Sequence, residues 1–318
     1  MRGIFLDKSS LDRDDLDFSA LNNAVDTWYN YEVTAPHELA ERLRDVEVVV
    51  TNKVVLDEQA ITTANALRLI CIAATGTNNV DLDAARRAGI AVCNVERYAT
   101  PSVAQHTFAL ILSLTRRLTE YAQAIDRGDW QRSEQFCLLD YPIRELNGLT
   151  LGIIGYGELG QAVARTAACF GMHVIIAQRP GGKGPATERV DLATLLGQAD
   201  IVSLHCPLAD NTRNLIGAGE LALMKQDALL INTARGGIVD EVALALAIAE
   251  GRIGGAGIDV LAEEPPKPDS PLLAIDSPRL LLTPHVAWAS RAARQRLLDE
   301  VVENIRAFVH GEPRYRIV

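Results

Sequence analysis

Short apolar runs alternate with amphipathic stretches along most of the chain. The runs are rich in valine, isoleucine and leucine, which is typical of strands buried on both faces of a parallel sheet. The stretches between them, such as 37–45 and 81–89, place apolar residues at helical spacing. The predicted strands are 3–7, 27–30, 47–51, 68–74, 90–94, 173–177, 200–205, 228–233, 255–260 and 279–285. This alternation predicts an α/β protein built on parallel sheets.

The segment LGIIGYGELG at 151–160 combines a strand, a glycine-rich turn and the start of a helix. Gly155, Gly157 and Gly160 have the spacing G-x-G-x-x-G, which is typical of a dinucleotide-binding turn. The first glycine permits a tight turn, the second leaves room for a pyrophosphate, and the third allows the helix to pack closely on the strand. The amino terminus of the helix also favours a bound phosphate. The segment therefore predicts NAD or NADP as the cofactor.

The glycine-rich turn begins in the middle of the chain, and the residues before it already alternate between strands and helices. We therefore predict two doubly wound parallel-sheet domains, with a cleft between them where a small substrate meets the cofactor. The first, flavodoxin-like domain comprises 1–98 with 289–318, and the second, 99–288, is a Rossmann cofactor domain. The apolar helix predicted at 101–118 is interpreted as bridging domains or subunits. The amphipathic helix at 289–311 is expected to return to the first domain.

Composition and charge narrow the range of partners. The formal net charge of −10 opposes binding to nucleic acid or to an anionic membrane, since both need a basic surface. No apolar run approaches the ~18 residues of a membrane span, and the first residues turn acidic after one short strand, unlike a signal peptide. The 5 cysteines show no spacing typical of metal sites. We therefore expect a cytoplasmic protein with reduced thiols, no metal site and a small-molecule partner.

Three strands of the second half end in side chains that can perform chemistry. INTARGGIVD places Arg235 after one strand, and LLLTPHVAW places His285 after another. Between them, GIDVLAEEPP places Asp259 at a strand end with Glu264 beyond it. Because ligands of open α/β sheets bind beyond the carboxyl ends of the strands, we expect these side chains to converge. The arginine can bind a carboxylate, the histidine can transfer a proton, and a neighbouring carboxylate would favour the charged imidazole.

These three segments, with the glycine-rich turn, resemble the D-isomer-specific 2-hydroxyacid dehydrogenases, and the resemblance extends over nearly the whole chain. NTARGGIVD resembles the family's catalytic-arginine segment, DVLAEEPP its catalytic-glutamate segment and TPHVAW its catalytic-histidine segment. The resemblance implies that Arg235 binds and activates the substrate, that His285 is the acid–base catalyst and that Glu264 is its partner. Asp259 is implied to hold the nicotinamide carboxamide. Glu263 lies outside the family's Glu-Pro step, which favours its neighbour.

The glycine spacing, the strand ends and the resemblance together predict a larger set of cofactor-binding residues. This set comprises Gly155, Gly157, Glu158, Leu159, Gly160, Gln178, Arg179, His205, Cys206, Pro207, Thr212, Thr233, Ala234, Asp259 and His285. Within it, His205 corresponds to a position that lines the cofactor without catalysing the reaction. His106 lies in an apolar helix, and we interpret it as a core or interface histidine whose hydrogen bonds are satisfied.

Substrate-binding residues are expected mainly in the first domain. The loop AATGTNNVD resembles the family's substrate loop, in which backbone amides around Thr75 and Gly76 hold the substrate carboxylate. Asn52 and Lys53 follow another strand of this domain. Lys53 would add positive charge near an anionic substrate, or would be a solvated loop lysine. Trp288 lies three residues after His285 and would put an indole at the mouth of a small pocket.

The end of the second strand of the cofactor domain bears on the choice between NAD and NADP. A site that prefers NAD carries an acidic residue there, which bonds the ribose 2′-hydroxyl. Here the strand runs HVIIAQRPGGKG, with Gln178 at the expected position, Arg179 next to it and Lys183 close behind. Two cations would attract a 2′-phosphate. We therefore expect NADPH to be accepted as well as NADH; a permissive loop that still uses NAD is the alternative.

The segments ICIAATGTNNVDL, INTARGGIVDE and TPHVAWAS resemble the glycerate dehydrogenase (hydroxypyruvate reductase) branch of the family. This resemblance implies an NAD(P)-dependent oxidoreductase that interconverts hydroxypyruvate and D-glycerate and also accepts glyoxylate. Other 2-hydroxyacid substrates, such as 3-phosphoglycerate or pyruvate, stay open. Two further alternatives are a phosphite or formate dehydrogenase on the same fold and a non-enzymatic NAD(H)-sensing corepressor.

The helix 101–118 and the segment RLTEYAQAIDRGDWQRSEQF supply more apolar surface than one domain needs. Trp130, Phe136 and Tyr141 are candidate anchors of an interface, because aromatic residues are enriched in interface cores. The sequence, like the family resemblance, therefore predicts a homodimer built on the cofactor domain.

Overall fold

The chain folds into two α/β units, each built around one parallel β-sheet. The structure, a computed structural model, describes residues 1–179 and 189–318. The first unit comprises Met1–Ala99 with Trp288–Val318, and the second comprises Thr100–Ala287. Two doubly wound parallel-sheet units are the fold class that the sequence predicted.

Every predicted strand is present, and its ends lie within a few residues of the prediction. The strands are β1 (Arg2–Phe5), β2 (Thr27–Asn30), β3 (Val48–Thr51), β4 (Leu69–Ile72), β5 (Ala91–Cys93), β6 (Thr150–Ile154), β7 (His173–Ile176), β8 (Ile201–Leu204), β9 (Leu229–Asn232), β10 (Gly255–Ile258) and β11 (Leu280–Leu282). Several of them, such as β3, β4, β8 and β9, are buried along their whole length, which explains their uninterrupted apolar sequences.

Two helices differ from their predictions. The helices are α1 (Ser19–Asn22), α2 (Leu39–Arg42), α3 (Glu58–Thr63), α4 (Leu82–Ala88), α5 (Thr100–Arg116), α6 (Leu118–Asp126), α7 (Glu158–Cys169), α8 (Leu192–Gln198), α9 (Ala218–Leu223), α10 (Glu241–Ala249) and α11 (Arg291–Val309). The helix predicted at 37–45 is a 3₁₀ turn, Pro36–Glu38, followed by the short α2. The helix predicted at 101–118 ends at Arg116, because Arg117 adopts a left-handed conformation (φ 56°) before α6 begins.

The first unit has the strand order β2-β1-β3-β4-β5, and all of its strand pairs are parallel. This is the flavodoxin-like order that the sequence analysis predicted. Asp57 and Asp81 begin α3 and α4 by accepting a hydrogen bond from a backbone amide of the first turn. Because the strands are parallel, the loops that follow β1, β3, β4 and β5 share one edge of the sheet.

The second unit has the strand order β11-β10-β9-β8-β6-β7, again with all pairs parallel. β7 lies on one side of β6 and β8 on the other, so the direction of winding reverses at β6. Rossmann sheets bind their ligands at this topological switch point. The glycine-rich turn leaves β6 there and leads into α7. The fold therefore places the predicted dinucleotide turn where a dinucleotide is expected.

Helix α5, which the sequence analysis interpreted as bridging domains or subunits, contributes to the core of its own unit. Phe108, Ile111 and Leu114 are buried in a core that they share with β6 and α7. The helix is strongly apolar because it covers one face of the parallel sheet. Most of its apolar side chains therefore belong to the core of this unit.

Helix α11 lies in the first unit, where the sequence analysis expected it. Leu297, Val301 and Ile305 are fully buried in a core formed with β3 and β4. The last helix of the chain therefore completes the first unit. Over the described ranges, the structure contains no helix long and apolar enough to cross a membrane.

Candidate active site

The three glycines of the dinucleotide turn each meet a different steric requirement. Gly155 has a φ of 97°, which favours glycine, and a Cβ there would lie 2.5 Å from the backbone nitrogen of Cys206. A Cβ on Gly160 would lie 2.2 Å from the carbonyl oxygen of Gly155. A Cβ on Gly157 would meet nothing within 4 Å, so this position is open to a ligand. These geometries fit a pyrophosphate at the amino end of α7.

A cavity of about 410 Å³ opens beside this turn, at the switch point of the second sheet. The predicted cofactor residues in its wall are Gly155, Gly157, Gln178, Arg179, His205, Cys206, Pro207 and Thr212. The hydroxyl of Thr212 donates to the carbonyl oxygen of Pro207 at 2.7 Å, which holds the loop after β8 in place. The cavity therefore brings together residues that are distant in the sequence around the place where a dinucleotide is expected.

His205 contributes a polar atom to this wall that the protein itself does not satisfy. Its Nε2 lies 2.9 Å from Oγ of Ser203, whereas its buried Nδ1 has no hydrogen-bond partner among the described residues. Burial lowers the pKa of the imidazole to about 4, so the ring is neutral at physiological pH. Since buried polar atoms are nearly always hydrogen-bonded, an unsatisfied one in a cavity wall fits a site that a ligand completes.

The end of β7 brings two guanidinium groups to the cavity. The backbone N–H of Gln178 donates to the carbonyl oxygen of Val190 at 2.8 Å, which fixes Arg189 beside the strand end. Arg179 and Arg189 both line the cavity. No carboxylate lines it in the part of the chain that the structure describes. Lys183, the second cation that the sequence analysis named, lies outside the described residues.

His285 and Glu264 are in direct contact. Nδ1 of His285 lies 2.6 Å from Oε2 of Glu264, and both side chains are partly exposed. The other carboxylate oxygen accepts from the backbone N–H of Leu261 at 2.8 Å, which orients it. The neighbouring Glu263 is instead paired with Lys267, 2.9 Å away. The structure therefore joins His285 to the glutamate that the family resemblance selected, and leaves Nε2 of the imidazole for a substrate.

Asp259 holds the backbone that carries His285. Its buried carboxylate accepts hydrogen bonds from the hydroxyl of Thr283 at 2.6 Å and from the backbone N–H groups of Val286 and Ala287 at 2.9 Å each. His285 itself has a φ of 53°, a conformation that non-glycine residues seldom adopt, and its N–H donates to the carbonyl oxygen of Asp259 at 2.7 Å. Asp259 thus stabilises a strained backbone at the histidine.

His106 of α5 contacts the same segment from the other side. Its Nε2 lies 3.0 Å from Oγ1 of Thr283 and 3.5 Å from Oδ1 of Asp259. The sequence analysis interpreted His106 as a histidine with satisfied hydrogen bonds, and these contacts agree with that interpretation. They also connect α5 to the loop that carries His285.

Arg235 follows β9, and its side chain is exposed. Its Nη1 donates to the carbonyl oxygen of Ala234 at 2.7 Å, and no carboxylate lies within ion-pair distance in residues 1–179 and 189–318. A Cβ on the next residue, Gly236, would lie only 1.8 Å from the carbonyl oxygen of Leu261. This close approach packs the loop that carries Arg235 against the loop that carries Glu264. The guanidinium is therefore available to an anion, on a loop that packs against the loop carrying Glu264.

The remaining predicted cofactor residues support the same edge of the second sheet. Thr233 is buried, and its hydroxyl lies 3.0 Å from that of Thr107 on α5. Oε1 of Glu158, in the first turn of α7, accepts from the hydroxyl of Thr100 at 2.7 Å. Leu159 follows Glu158 in that turn. These contacts attach α5 to the dinucleotide turn and to the loop that precedes Arg235.

Four of the predicted substrate residues, Asn52, Lys53, Thr75 and Gly76, lie in the first unit, after the ends of its strands. Asn52 is buried and Lys53 is exposed. The buried carboxylate of Asp7, at the end of β1, accepts from the backbone N–H groups of Asn52 at 2.9 Å and Lys53 at 2.6 Å. Thr75 and Gly76 follow β4, and the hydroxyl of Thr75 donates to the carbonyl oxygen of Val95 at 2.8 Å.

Trp288 also belongs to the first unit, where its ring packs edge-to-face against Tyr98 with the centroids 6.4 Å apart. It is partly buried against the core that contains α11. The structure thus gives the indole a packing partner within this unit.

Sequence reasoning missed several supporting residues. Gly236 and Thr283 lie in the segments NTARGGIVD and TPHVAW, and Arg189 lies in neither. Their contacts are made with distant segments, so the neighbouring residues do not reveal their supporting roles. For Gly236 the signal was present as the second glycine-rich pair of the sequence, ARGG, after a buried strand. For Asp7 the signal was an acidic residue directly after an apolar strand.

A histidine with a carboxylate partner, an accessible guanidinium and a dinucleotide turn on one sheet define a dehydrogenase that moves a hydride to or from a nicotinamide. The sequence model of the D-isomer-specific 2-hydroxyacid dehydrogenase NAD-binding domain matches residues 108–287. The chain belongs to this family, and it is an oxidoreductase with an NAD-binding domain.

The relatives cover nearly the whole chain. Glycerate dehydrogenase of Methylorubrum extorquens is 46% identical over 311 residues, which are 98% of this chain and 96% of that protein. Hydroxypyruvate reductase of Blautia hydrogenotrophica is 35% identical over 98% of each chain. Among solved structures, an acyclic imino acid reductase in complex with NADPH and D-Arg superimposes with a TM-score of 0.86 at 27% identity, over 100% of both chains.

Proposed function

We propose that this enzyme reduces hydroxypyruvate to D-glycerate, with glyoxylate as a second substrate. The hydrogen-bonded pair of His285 and Glu264, at the same sheet edge as Arg235, is the observation that carries the proposal. Relatives named glycerate dehydrogenase and hydroxypyruvate reductase support the choice of substrate. In this proposal the first unit binds the substrate and the second binds the cofactor.

Arg235 binds the substrate carboxylate with its planar guanidinium and polarises the neighbouring carbonyl group. Glu264 holds Nδ1 of His285 and stabilises the charged imidazole, so that Nε2 donates the proton to the carbonyl oxygen. A bound reduced nicotinamide supplies the hydride for C2. Asp259 maintains the orientation of His285 through the segment that it anchors. Its contact with the nicotinamide carboxamide, which the family resemblance implies, stays a prediction.

The substrate carboxylate also binds backbone amides of the loop that contains Thr75 and Gly76, because N–H groups of a turn form an anion site. Lys53 adds positive charge, and Trp288 closes the pocket against larger side chains. The anchoring of the Lys53 backbone by Asp7 supports a fixed position for this loop. The small 2-keto acids named above suit such a pocket.

NADPH serves as a cofactor alongside NADH in this proposal. Gln178 stands where an acid would repel a 2′-phosphate, and Arg179 and Arg189 line the neighbouring cavity. A guanidinium forms charge-assisted hydrogen bonds with phosphate, so two of them favour the phosphorylated ribose.

A homodimer forms through the segment after α6. Phe136 is 90% exposed, Leu139 84% and Trp130 51%, and this apolar surface lies beside a cavity of about 650 Å³. Exposed apolar patches of this kind mark association sites. Tyr141 packs against Tyr121 with ring centroids 5.1 Å apart, which stiffens the segment.

We also place the enzyme in the cytoplasm. All 5 cysteines lie within the described ranges and are free thiols, as in proteins of reducing compartments. Cys71 and Cys93 are buried, and burial raises the pKa of both thiols, which keeps them unreactive.

The test is a panel of hydroxypyruvate, glyoxylate, pyruvate and 3-phosphohydroxypyruvate, each assayed with NADH and with NADPH. We expect hydroxypyruvate to give the highest kcat/KM and glyoxylate the next. A protein that binds NADH but reduces none of these acids would support the corepressor-like alternative instead. A higher kcat/KM with the phosphorylated acid or with pyruvate would reassign the substrate.

A further inference from the structure

Beyond the ends of β4 and β5, the substrate loop is attached to the next segment by three hydrogen bonds. Nδ2 of Asn94 donates to the carbonyl oxygen of Thr75 at 2.9 Å. The hydroxyl of Thr75 donates to the carbonyl oxygen of Val95 at 2.8 Å, and the N–H of Val95 donates to the carbonyl oxygen of Ala74 at 3.0 Å. The parallel pairing of the two strands is thereby extended by side chains into the loop.

The bond from Asn94 determines the direction of the next amide. The peptide bond between Thr75 and Gly76 is trans, and in a planar trans peptide the C=O and N–H groups point in opposite directions. Holding the Thr75 oxygen towards Asn94 therefore turns the N–H of Gly76 away from Asn94. This N–H has no acceptor within the ranges that the structure describes, so it is available to an anion.

Asn94 is itself held by a residue of α11. Asn304 is 1% exposed, and its Nδ2 donates to the carbonyl oxygen of Asn94 at 2.9 Å. Its Oδ1 accepts from Nη1 of Arg314 at 2.8 Å, and Nη2 of Arg314 donates to Oε2 of Glu300 at 2.6 Å. A continuous chain of hydrogen bonds thus runs from the surface of α11 to the carbonyl oxygen of Thr75.

The position of Asn304 argues for a role beyond packing. It lies in α11 between Val301, Val302 and Ile305, which are buried in the apolar core of the first unit. A buried amide in such surroundings is favourable only when its hydrogen bonds are made, and an apolar residue of similar volume stabilises a core at least as well. The side-chain amide of Asn304 donates its hydrogen bond to the backbone carbonyl oxygen of Asn94.

We propose that Asn94 is a positioning residue for substrate binding, which fixes the Thr75–Gly76 peptide so that the Gly76 N–H meets the substrate carboxylate. Asn304 maintains Asn94 in that orientation. The proposal rests on the proposed function, in which this loop binds the carboxylate of a 2-keto acid. It predicts a loss of substrate affinity without a loss of cofactor affinity, because the dinucleotide turn belongs to the other unit.

The test compares Asn94→Asp and Asn304→Leu with the wild-type enzyme in three measurements: KM and kcat for hydroxypyruvate at saturating NADH, the NADH dissociation constant by fluorescence titration, and the thermal midpoint. Asn94→Asp replaces the donor with an acceptor and should raise KM roughly ten- to hundredfold, as expected for a lost bond to a charged group. Asn304→Leu keeps the apolar packing and should raise KM by about threefold or more. In both variants kcat and the NADH dissociation constant should change less than about twofold.

Asn65→Asp is the matched control, because it makes the same change of charge in the same unit. Asn65 is exposed and lies in the turn before β4. It should leave KM unchanged. Unchanged KM in a folded Asn304→Leu, or equal losses in KM, kcat and NADH binding, would overturn the proposal. A wild-type enzyme that reduces no acid of the panel would instead overturn the proposed function, and this inference with it. If Asn94→Asp does not fold, Asn304→Leu alone decides.

Discussion

Nδ1 of His285 lies 2.6 Å from Oε2 of Glu264, and the histidine occupies a left-handed backbone conformation with φ 53°. The conformation is maintained by Asp259, which accepts hydrogen bonds from the backbone N–H groups of His285, Val286 and Ala287. Glu264 thus orients the imidazole ring of His285 directly, and Asp259 orients it by holding the backbone of the same residue. This arrangement leaves Nε2 as the ring atom that exchanges a proton with the substrate in the proposed reaction.

His285→Ala should lower kcat by ~10²–10⁴, the usual contribution of a general acid. NADH binding should be largely retained, because the dinucleotide turn and the cavity beside it do not depend on this side chain. Steady-state assays with hydroxypyruvate and a fluorescence titration with NADH measure the two quantities. His173→Ala, at an exposed histidine of the same unit, should behave as wild type. An unchanged kcat in His285→Ala would remove the residue from the mechanism.

Arg235→Lys should reduce kcat/KM by about tenfold to a hundredfold or more, because an ammonium group cannot form the paired hydrogen bonds of a guanidinium with a carboxylate. Arg132→Lys, at an exposed arginine, is the matched control and should have no effect. The measurement is a full substrate saturation curve for each variant. If Arg235→Lys keeps an activity near that of wild type, a single point charge is sufficient to bind the substrate carboxylate.

Arg179→Ala and Arg189→Ala should each lower kcat/KM with NADPH about tenfold or more relative to NADH, since each removes charge-assisted bonds to the 2′-phosphate. Calorimetric titration with 2′,5′-ADP and with 5′-ADP checks the same point without turnover. Gln178→Asp should shift the cofactor preference towards NADH. Arg13→Ala in the first unit should leave the preference unchanged. If the wild-type enzyme strongly prefers NADH and none of the three substitutions changes this preference, these residues do not determine the choice of cofactor.

Phe136→Asp and Leu139→Asp should convert the homodimer to a monomer, because each places a charge in the apolar surface proposed as the interface. Sedimentation velocity at micromolar concentration measures the change. Val55→Asp adds the same charge at an exposed valine of the first unit, which is 60% accessible, and should leave the dimer intact. A monomeric wild-type protein at that concentration would refute the interface.

The stability of the fold should depend on pH through His205. Burial lowers its pKa from 6.5 to about 4, so the unfolded chain binds the proton at a higher pH than the folded chain does. The free energy of unfolding therefore decreases as the pH falls below 6.5, and it decreases further until the pH reaches about 4. The decrease between pH 7 and pH 5 is about 2 kcal/mol. Urea unfolding of the wild type and of His205→Gln over this range measures the difference. Identical pH profiles for the two proteins would contradict the assignment.

Sequence patterns were sufficient for the parts of this protein that depend on neighbouring residues. The apolar runs located the strands because side chains of a buried parallel strand face a core on both sides, whatever their partners are. The spacing of Gly155, Gly157 and Gly160 located the dinucleotide turn because the turn, the phosphate approach and the packing of α7 are all local requirements. The limits of local reasoning appeared in α5, whose apolar surface the sequence could not assign to one unit or to an interface.

Only the tertiary structure decided which segments that are distant in the chain come into contact. The sequence offered Arg235, Glu264 and His285 as strand-end residues, and the order β9, β10, β11 placed them at one edge of a sheet. Neighbouring residues do not show that Gly236 meets the backbone of Leu261, or that hydrogen bonds connect Asn304 to Thr75 through Asn94. Their residue types are common, and their meaning depends on which loop the fold brings within hydrogen-bonding distance. Local chemistry thus determined which groups were available, and packing determined which of them meet.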